Sequence, residues 1–168
     1  MESKTSYVFK SPKISEYTAF MIEEPLILFN RDGDYEGGSF SDEDIASLVE
    51  YYKNRLVQAI SDDDAYQVVD QPGQGVARIR VALTAVDETV GVLNVAIYTK
   101  ITGAGLGGAA MEGEIVDSIT GEQISAVVQW GNGSRILRAG FTKLGDAKLQ
   151  INKWTRDLRD RIDEAHSI

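Results

Sequence analysis

The sequence predicts an α+β fold: an antiparallel β-sheet with two long amphipathic helices packed on one face. Three observations carry this expectation. Two segments repeat apolar residues at three- and four-residue spacing, several others alternate apolar and polar residues with period two, and each kind has one oily side. Such helices and strands bury their apolar sides on each other in layers.

Taken in order, the residues up to about Ser15 are polar and predict a loosely held end. With a length of 168 residues, the expected organisation is a flexible N-terminal segment over 1–16 and a single α+β domain over 17–168. The stretch YTAFMIEEPLILFN (17–30) is rich in strand formers, but Pro25 has no N–H for a ladder, so an edge strand, a bulge or two short strands is expected. A helix then starts at Ser41. Ser41 suits the N-cap, Asp42, Glu43 and Asp44 set negative charge against the positive end of the dipole, and Phe40 can staple onto Ile45. Ile45, Leu48, Val49, Tyr52, Leu56 and Ala59 make one stripe that runs into the polar stop SDDD.

YQVVD (66–70) reads as a short strand and QPGQG as a turn. In VARIRVALTAV, Ala77, Ile79, Val81, Leu83 and Ala85 point one way and Arg78, Arg80 and Thr84 the other, the pattern of a half-buried strand. Over 90–100, Val90, Leu93 and Ile97 suit a helix while the β-branched content suits a strand, and both readings stay open. Met111, Gly113 and Ile115 then alternate with Glu112 and Glu114, DSITGE turns the chain, and Ile124, Ala126, Val128 and Trp130 alternate again, which predicts a hairpin. If the strands are neighbours, Arg78 and Arg80 face Glu112 and Glu114 on the open side of the sheet. Last, Phe141, Leu144, Ala147, Ile151, Trp154, Leu158, Ile162 and Ala165 lie on one helical face, with Arg156–Asp160 and Asp157–Arg161 paired on the other.

Charge narrows the partners. The chain carries −9 overall: residues 1–70 hold 15 acids against 6 bases, and only residues 135–168 are net positive, at +3. Phosphate backbones repel such a surface, so nucleic-acid binding is not expected. The absence of cysteine excludes disulfides, thiolate nucleophiles and cysteine-ligated zinc. No run reaches the roughly 18 apolar residues that a membrane span takes, and MESKTSYVFK has no apolar core of a signal peptide.

Candidate chemistry is sparse. Gly103, Gly105 and Gly108 have the G-x-G-x-x-G spacing of a dinucleotide turn, but AAMEGEIVD after them alternates like a strand where a helix should open. A small-residue loop accounts for them, and no cofactor is expected. From Asp32, the segment DGDYEGGSFSDE sets Asp32, Asp34, Glu36, Gly37 and Glu43 at positions 1, 3, 5, 6 and 12 of a calcium loop. Against calcium, position 5 is Glu, position 8 is Ser39, and the preceding segment is extended. An Asp/Gly turn leading into a capped helix explains the same acids. His166, the single histidine, is third from the end, where fraying argues against a catalytic or metal role. The pairs Asp32 with Asp34 and Glu112 with Glu114 read as solvated acids, and Trp130 and Trp154 as core.

Several segments taken together carry a family resemblance: DGDYEG before the capped helix SDEDIASLVEYYKNRLVQAI, then YQVVDQPGQGVARIRVALTAV, GGAAMEGEIVDSITGEQISAVV and KLQINKWTRDLRDRI. The chain resembles, from about Tyr17 to about Ala165, a family of bacterial lipoproteins catalogued only as a domain of unknown function. The blocks VVDQPGQGVARIRVALT and EGEIVDSITGE are the most specific. The resemblance implies export and lipid anchoring, hence a periplasmic domain tied to the bacterial membrane in the native precursor, although this sequence shows neither an export signal nor a lipobox cysteine. It brings no catalytic residues. The expected role is therefore non-enzymatic, in contact with an envelope protein, another envelope component or a second copy of the chain. The alternative is a small-ligand or calcium-binding module, with a hydrolase ranked behind both.

Overall fold

A computed structural model describes residues 4–29, 40–86, 108–130 and 143–167. The elements are β1 (Lys4–Lys10), a 3-10 turn (Pro12–Glu16), β2 (Ala19–Ile22), β3 (Leu26–Phe29), α1 (Asp42–Ser61), β4 (Gln67–Val68), β5 (Val76–Val86), β6 (Gly108–Asp117), β7 (Gln123–Trp130) and α2 (Lys143–His166). Among the described residues seven strands form one sheet in the order β1-β7-β6-β5-β2-β4, with β3 also on β5. The protein is a mixed α+β structure with two long helices, and neither is long and apolar enough to cross a membrane. The glycine-rich stretch through Gly107, the 90–100 segment and Asp32, Asp34 and Glu36 lie outside the described residues.

The start of α1 follows local chemistry. Ser41 Oγ accepts from the Asp44 N–H at 3.1 Å while the Ser41 N–H donates to Asp44 Oδ2 at 2.9 Å, a reciprocal capping box. Leu48, Tyr52, Leu56 and Ile60 are its buried stripe, and Phe40 and Ile45 pack against the same core. The helix ends at Ser61 with Asp62 as its cap, and three residues on Asp64 adopts a left-handed φ of 59°, a conformation aspartate tolerates better than most residues.

Pro25 separates two short strands. Ala19 to Ile22 pair in parallel with Val76 to Ile79, and Leu26 to Phe29 with Ala82 to Ala85. From Ile22 to Leu26 the chain spends one residue more than its partner does from Ile79 to Ala82, so the proline occupies an interruption where no ladder N–H is needed.

Three expectations are corrected. The sheet is mixed, because β2 pairs in parallel with both β4 and β5. The 20 residues of α1 return the chain across the sheet, so β4 and β5 after it run in the same direction as β2. Second, residues 4–16 join the sheet and the core. β1 pairs antiparallel with β7 from Lys4↔Trp130 to Lys10↔Ser125, and Ile14 in the following turn is buried in the core. Third, β7 does not keep one phase. A register shift opposite Ile115/Val116 lets Ile124 and Val127 both join the core, while Ala126 and Val128 stand opposite Glu114 and Glu112 on the other face.

That other face is not open: Ala82, Glu112, Glu114, Ala126 and Val128 are all buried. Arg80 faces Glu114 in register and donates to its Oε1 at 2.7 Å, as the strand pattern predicts. Arg78 instead stands opposite Val116 and reaches Glu23 Oε1 at 3.2 Å, and Glu112 stands opposite Ala82. Glu23 Oε2 also accepts from Arg80, and Gln123 donates to Glu114 Oε2. On the helix side, Gly113 lies between Val81 and Val127, and a Cβ there would come within 3.3 Å of Val127 Cγ1.

The two helices run parallel, since Tyr51 of α1 meets Asn152 and Ala59 meets Arg159 further along. Ala147, Ile151, Trp154, Ile162 and Ala165 of α2 enter the core, in line with the predicted stripe. The predicted pairs Arg156–Asp160 and Asp157–Arg161 do not form among the described residues. The i,i+4 pair on α2 is Arg159–Asp163 at 2.8 Å. Arg159 also donates to Asp63 at 2.7 Å and to the Ala59 carbonyl at 2.7 Å, and its guanidinium lies 4.7 Å from the Tyr66 ring centre. One largely buried cation thus closes the carboxyl end of α1, where carbonyls lack intrahelical partners.

These contacts set the cost of three substitutions. Ser41→Ala should cost about 1 kcal/mol, read from urea unfolding. Arg159→Met should cost about 2–3 kcal/mol because charge-assisted bonds and the helix-end contact go together. Asp63→Asn should cost clearly less, since its exposed carboxylate is solvated without the partner.

Candidate functional site

At one end of the sheet three turns converge. β5 begins where β6 ends, with Ala77 opposite Asp117, so register alone brings the turn before β5 beside the turn after β6. Ser118 joins them: its hydroxyl accepts from the Gly73 N–H at 3.1 Å and donates to the Gly73 carbonyl at 3.2 Å, and its N–H donates to the Val76 carbonyl. Gly75 and Gly121 have a φ of 73° in these turns, the left-handed region where glycine carries no Cβ strain. The 3-10 turn closes the third side. Between them lies an open cleft of about 400 Å³ lined by Glu16, Tyr17, Gln74, Gly75, Asp117, Ile119 and Thr120.

Asp117 organises the cleft. Its Oδ1 accepts from the N–H groups of Ile119 at 2.9 Å and Thr120 at 2.7 Å, and its Oδ2 accepts from the Tyr17 hydroxyl at 2.8 Å. The Thr120 N–H and the Tyr17 hydroxyl lead the donors that hold the carboxylate at about 2, well below the usual aspartate range. Tyr17 moves the other way. Burial, and then its bond to that carboxylate, push its phenol up to about 12. Around neutral pH Asp117 is therefore a fixed anion and Tyr17 a fixed donor. Lys13, held above its usual range mainly by its 2.7 Å bond to Glu122, stands on the rim. Glu16 accepts no hydrogen bond among the described residues through its carboxylate, and Ile119 is 66% exposed beside it. The cleft is negative, rigidly hydrogen-bonded and flanked by one apolar side chain.

The residues singled out from sequence do not assemble here. Glu43 occupies the first turn of α1, facing the dipole as the capping explanation requires. Gly108 opens β6 as a strand residue, not a helix start. Glu112 and Glu114 lie on the sheet's second face with Arg80. Trp154 is buried in the core. Among the described residues no group of three or more His, Asp or Glu side chains could hold a metal ion. His166 is not frayed: its ring nitrogens lie 2.8 and 2.9 Å from the carbonyl oxygens of Ile162 and Tyr17. The cleft residues Tyr17 and Asp117 carry only strand and turn signals in the sequence, with 100 positions between them.

The depressed titration of Asp117 has a definite sign. An aspartate whose folded value is lowered contributes stability above its unfolded value of about 3.9 and loses it as pH falls through the folded value. The urea midpoint of the wild-type protein should therefore fall toward that of Asp117→Asn between about pH 4 and pH 2, whereas a constant gap across this window would contradict the hydrogen-bonded carboxylate.

Comparison with known proteins identifies relatives by fold and by family. A Helicobacter pylori protein described as a homolog of the neuraminyllactose-binding hemagglutinin superposes with a TM-score of 0.51 at 10% identity, covering 99% of this chain and 95% of that one. A PelC dodecamer structure from Paraburkholderia phytofirmans gives 0.46 at 14% identity over 91% of this chain and 95% of that chain. A DUF330-family protein from Xanthomonas campestris gives 0.40 at 8% identity over 94% and 96%. No curated protein matches the sequence. A family model described as "Protein of unknown function (DUF3313)" matches residues 1–158, and the chain belongs to that family.

Proposed function

We propose that this chain is the exported domain of a bacterial envelope lipoprotein and that it works by binding, without catalysis. An envelope protein or a second copy of the chain docks at the cleft formed by the 3-10 turn, the Gly73–Gly75 turn and the β6–β7 turn. The observation that carries the binding reading is the hydrogen bonding that fixes Asp117 as an acceptor and Tyr17 as a donor. Acid–base catalysts are tuned toward the working pH, whereas Asp117 is drawn down to about 2 and Tyr17 up to about 12. Both groups keep one charge and one hydrogen-bonding role across the neutral range. That suits recognition of a donor or cationic group and gives little for proton transfer. Export and the lipid anchor are supported by the likeness of the VVDQPGQGVARIRVALT and EGEIVDSITGE blocks to bacterial lipoproteins. The first of these blocks contributes Gln74 and Gly75 to the cleft and the second contributes Asp117, Ile119 and Thr120.

A second reading, a small-ligand module, is favoured by the size of the cleft, which falls in the range of small-molecule sites. Photo-crosslinking separates the two. With a crosslinking residue at Ile119 in the full-length protein in its native host, the expected product is an adduct with an envelope protein or a second copy, recovered from detergent-extracted membranes. The same residue at Leu149, exposed on α2, should give none. A soluble cytosolic protein, or equal products from both positions, would overturn the proposal. Stabilisation of the free monomer by a small molecule would favour the second reading.

A further inference from the structure

The β6–β7 turn beside the cleft has spent its donors on itself. The N–H of Ser118 goes to the Val76 carbonyl, those of Ile119 and Thr120 to Asp117 Oδ1, that of Gly121 to the Asp117 carbonyl and that of Glu122 to Thr120 Oγ1. Glycine-bearing turns hold anions through successive N–H groups turned toward the ligand. In this turn every N–H from Ser118 to Glu122 is committed within the fold, so the turn offers an anion no such cradle.

What faces the cleft is acceptors. Asp117 fills three of the roughly four acceptor positions of a carboxylate, two on Oδ1 and one on Oδ2. Having given its proton to that carboxylate, the Tyr17 hydroxyl oxygen can only accept from a group that enters. Glu16 lines the same cleft and is exposed, and its carboxylate accepts no hydrogen bond among the described residues. Lys13 on the rim is engaged with Glu122 at 2.7 Å. Ile119 adds an apolar flank, and Gly75 leaves room in the wall, where a Cβ would meet only the Glu16 carbonyl oxygen at 4.0 Å. Negative charge, acceptors and one apolar flank fit a cationic head with several N–H donors on an aliphatic stem, which is the build of lysine and arginine.

Charge also separates the two partners that could dock here. A second copy related by a two-fold axis would set this patch against itself. Asp117 and Glu16 would then face their own counterparts in a chain that carries −9 overall, and like charges set against each other across an interface are costly. Resting on the reading of the cleft as a docking site, we propose that its occupant is a lysine or arginine side chain on a basic segment of a different envelope protein. The cationic head bonds the carboxylates of Asp117 and Glu16, and the stem covers Ile119.

Photo-crosslinking from position 119 in the full-length protein, in its native host, tests the charge when it is repeated in Glu16→Gln and Glu16→Lys. Because no hydrogen bond within the chain is lost with the Glu16 carboxylate, both variants should keep the wild-type Tm. The adduct should fall by about threefold in Glu16→Gln and vanish in Glu16→Lys. An adduct undiminished in both variants overturns the cationic occupant and leaves docking at the cleft standing, whereas no adduct from the wild-type background removes both. An adduct made only with a second copy of the chain also overturns the proposal. A measurement that needs no variant is the backbone amide NMR spectrum of the wild-type protein titrated with N-acetyl-arginine amide or with its neutral isostere N-acetyl-citrulline amide. The arginine compound should shift the Ile119 and Thr120 amide signals and the citrulline compound should not. Equal shifts from the two, or none from either, count against a cation in the cleft.

Discussion

Strand β5 is hydrogen-bonded along both edges, and the rest of the structure is arranged by that constraint. On one edge it pairs antiparallel with β6 from Ala77↔Asp117 to Val86↔Gly108, and on the other it holds β2 and β3 in parallel, interrupted at Pro25. A strand used in this way cannot slip by one residue without turning Ile79, Val81 and Leu83 out of the core. The hairpin phase, the position of the N-terminal strand on β7 and the meeting of the turns at Ser118 all inherit this register.

The helices answer the apolar face that β5 and its neighbours present. Phe20, Ile79, Leu83, Met111, Ile115 and Val127 lie beneath the stripes of α1 and α2 in one buried cluster. Hydrophobic burial supplies the gain but has no direction. Direction comes from the polar contacts between the helices: Tyr51 to Asn152 at one end and Arg159 to Ala59 and Asp63 at the other fix both alignment and register. Arg159 is suited to this because a planar guanidinium can bond several acceptors at once while stacking on Tyr66.

The cleft is a by-product of the same register, yet its chemistry is specific. Asp117 uses its carboxylate to stabilise the turn that displays Ile119 and Thr120, and it draws Tyr17 from a distant part of the chain into the same network. A turn held by its own acid is stiff, which lowers the ordering cost of any contact made there. Membership of the DUF3313 family names no chemistry for this end of the molecule, and the likeness to the Helicobacter pylori structure concerns architecture alone.

Much of the local structure was legible before any coordinates. The Ser41 cap, the stripe through Leu48, Tyr52 and Leu56, the break at Pro25, the alternation in β5 and the face of α2 all depend on residues within about four positions of each other, where periodicity and capping rules act. The acids at Asp42, Glu43 and Asp44 were explained by the cap without a metal. What the sequence by itself determined was therefore which segments become helix or strand and which of their sides is apolar. Only the tertiary structure decided that β2 and β3 run parallel to β5, that β7 changes phase at Ile124, that Lys4–Lys10 form an edge strand, and that Tyr17, Asp117 and His166 meet. Those outcomes depend on pairings across tens to more than a hundred positions. Their energy comes from backbone and packing partners that a local pattern does not contain, and a polar residue such as Asp117 or His166 reads the same in sequence whether water or a distant chain segment satisfies it.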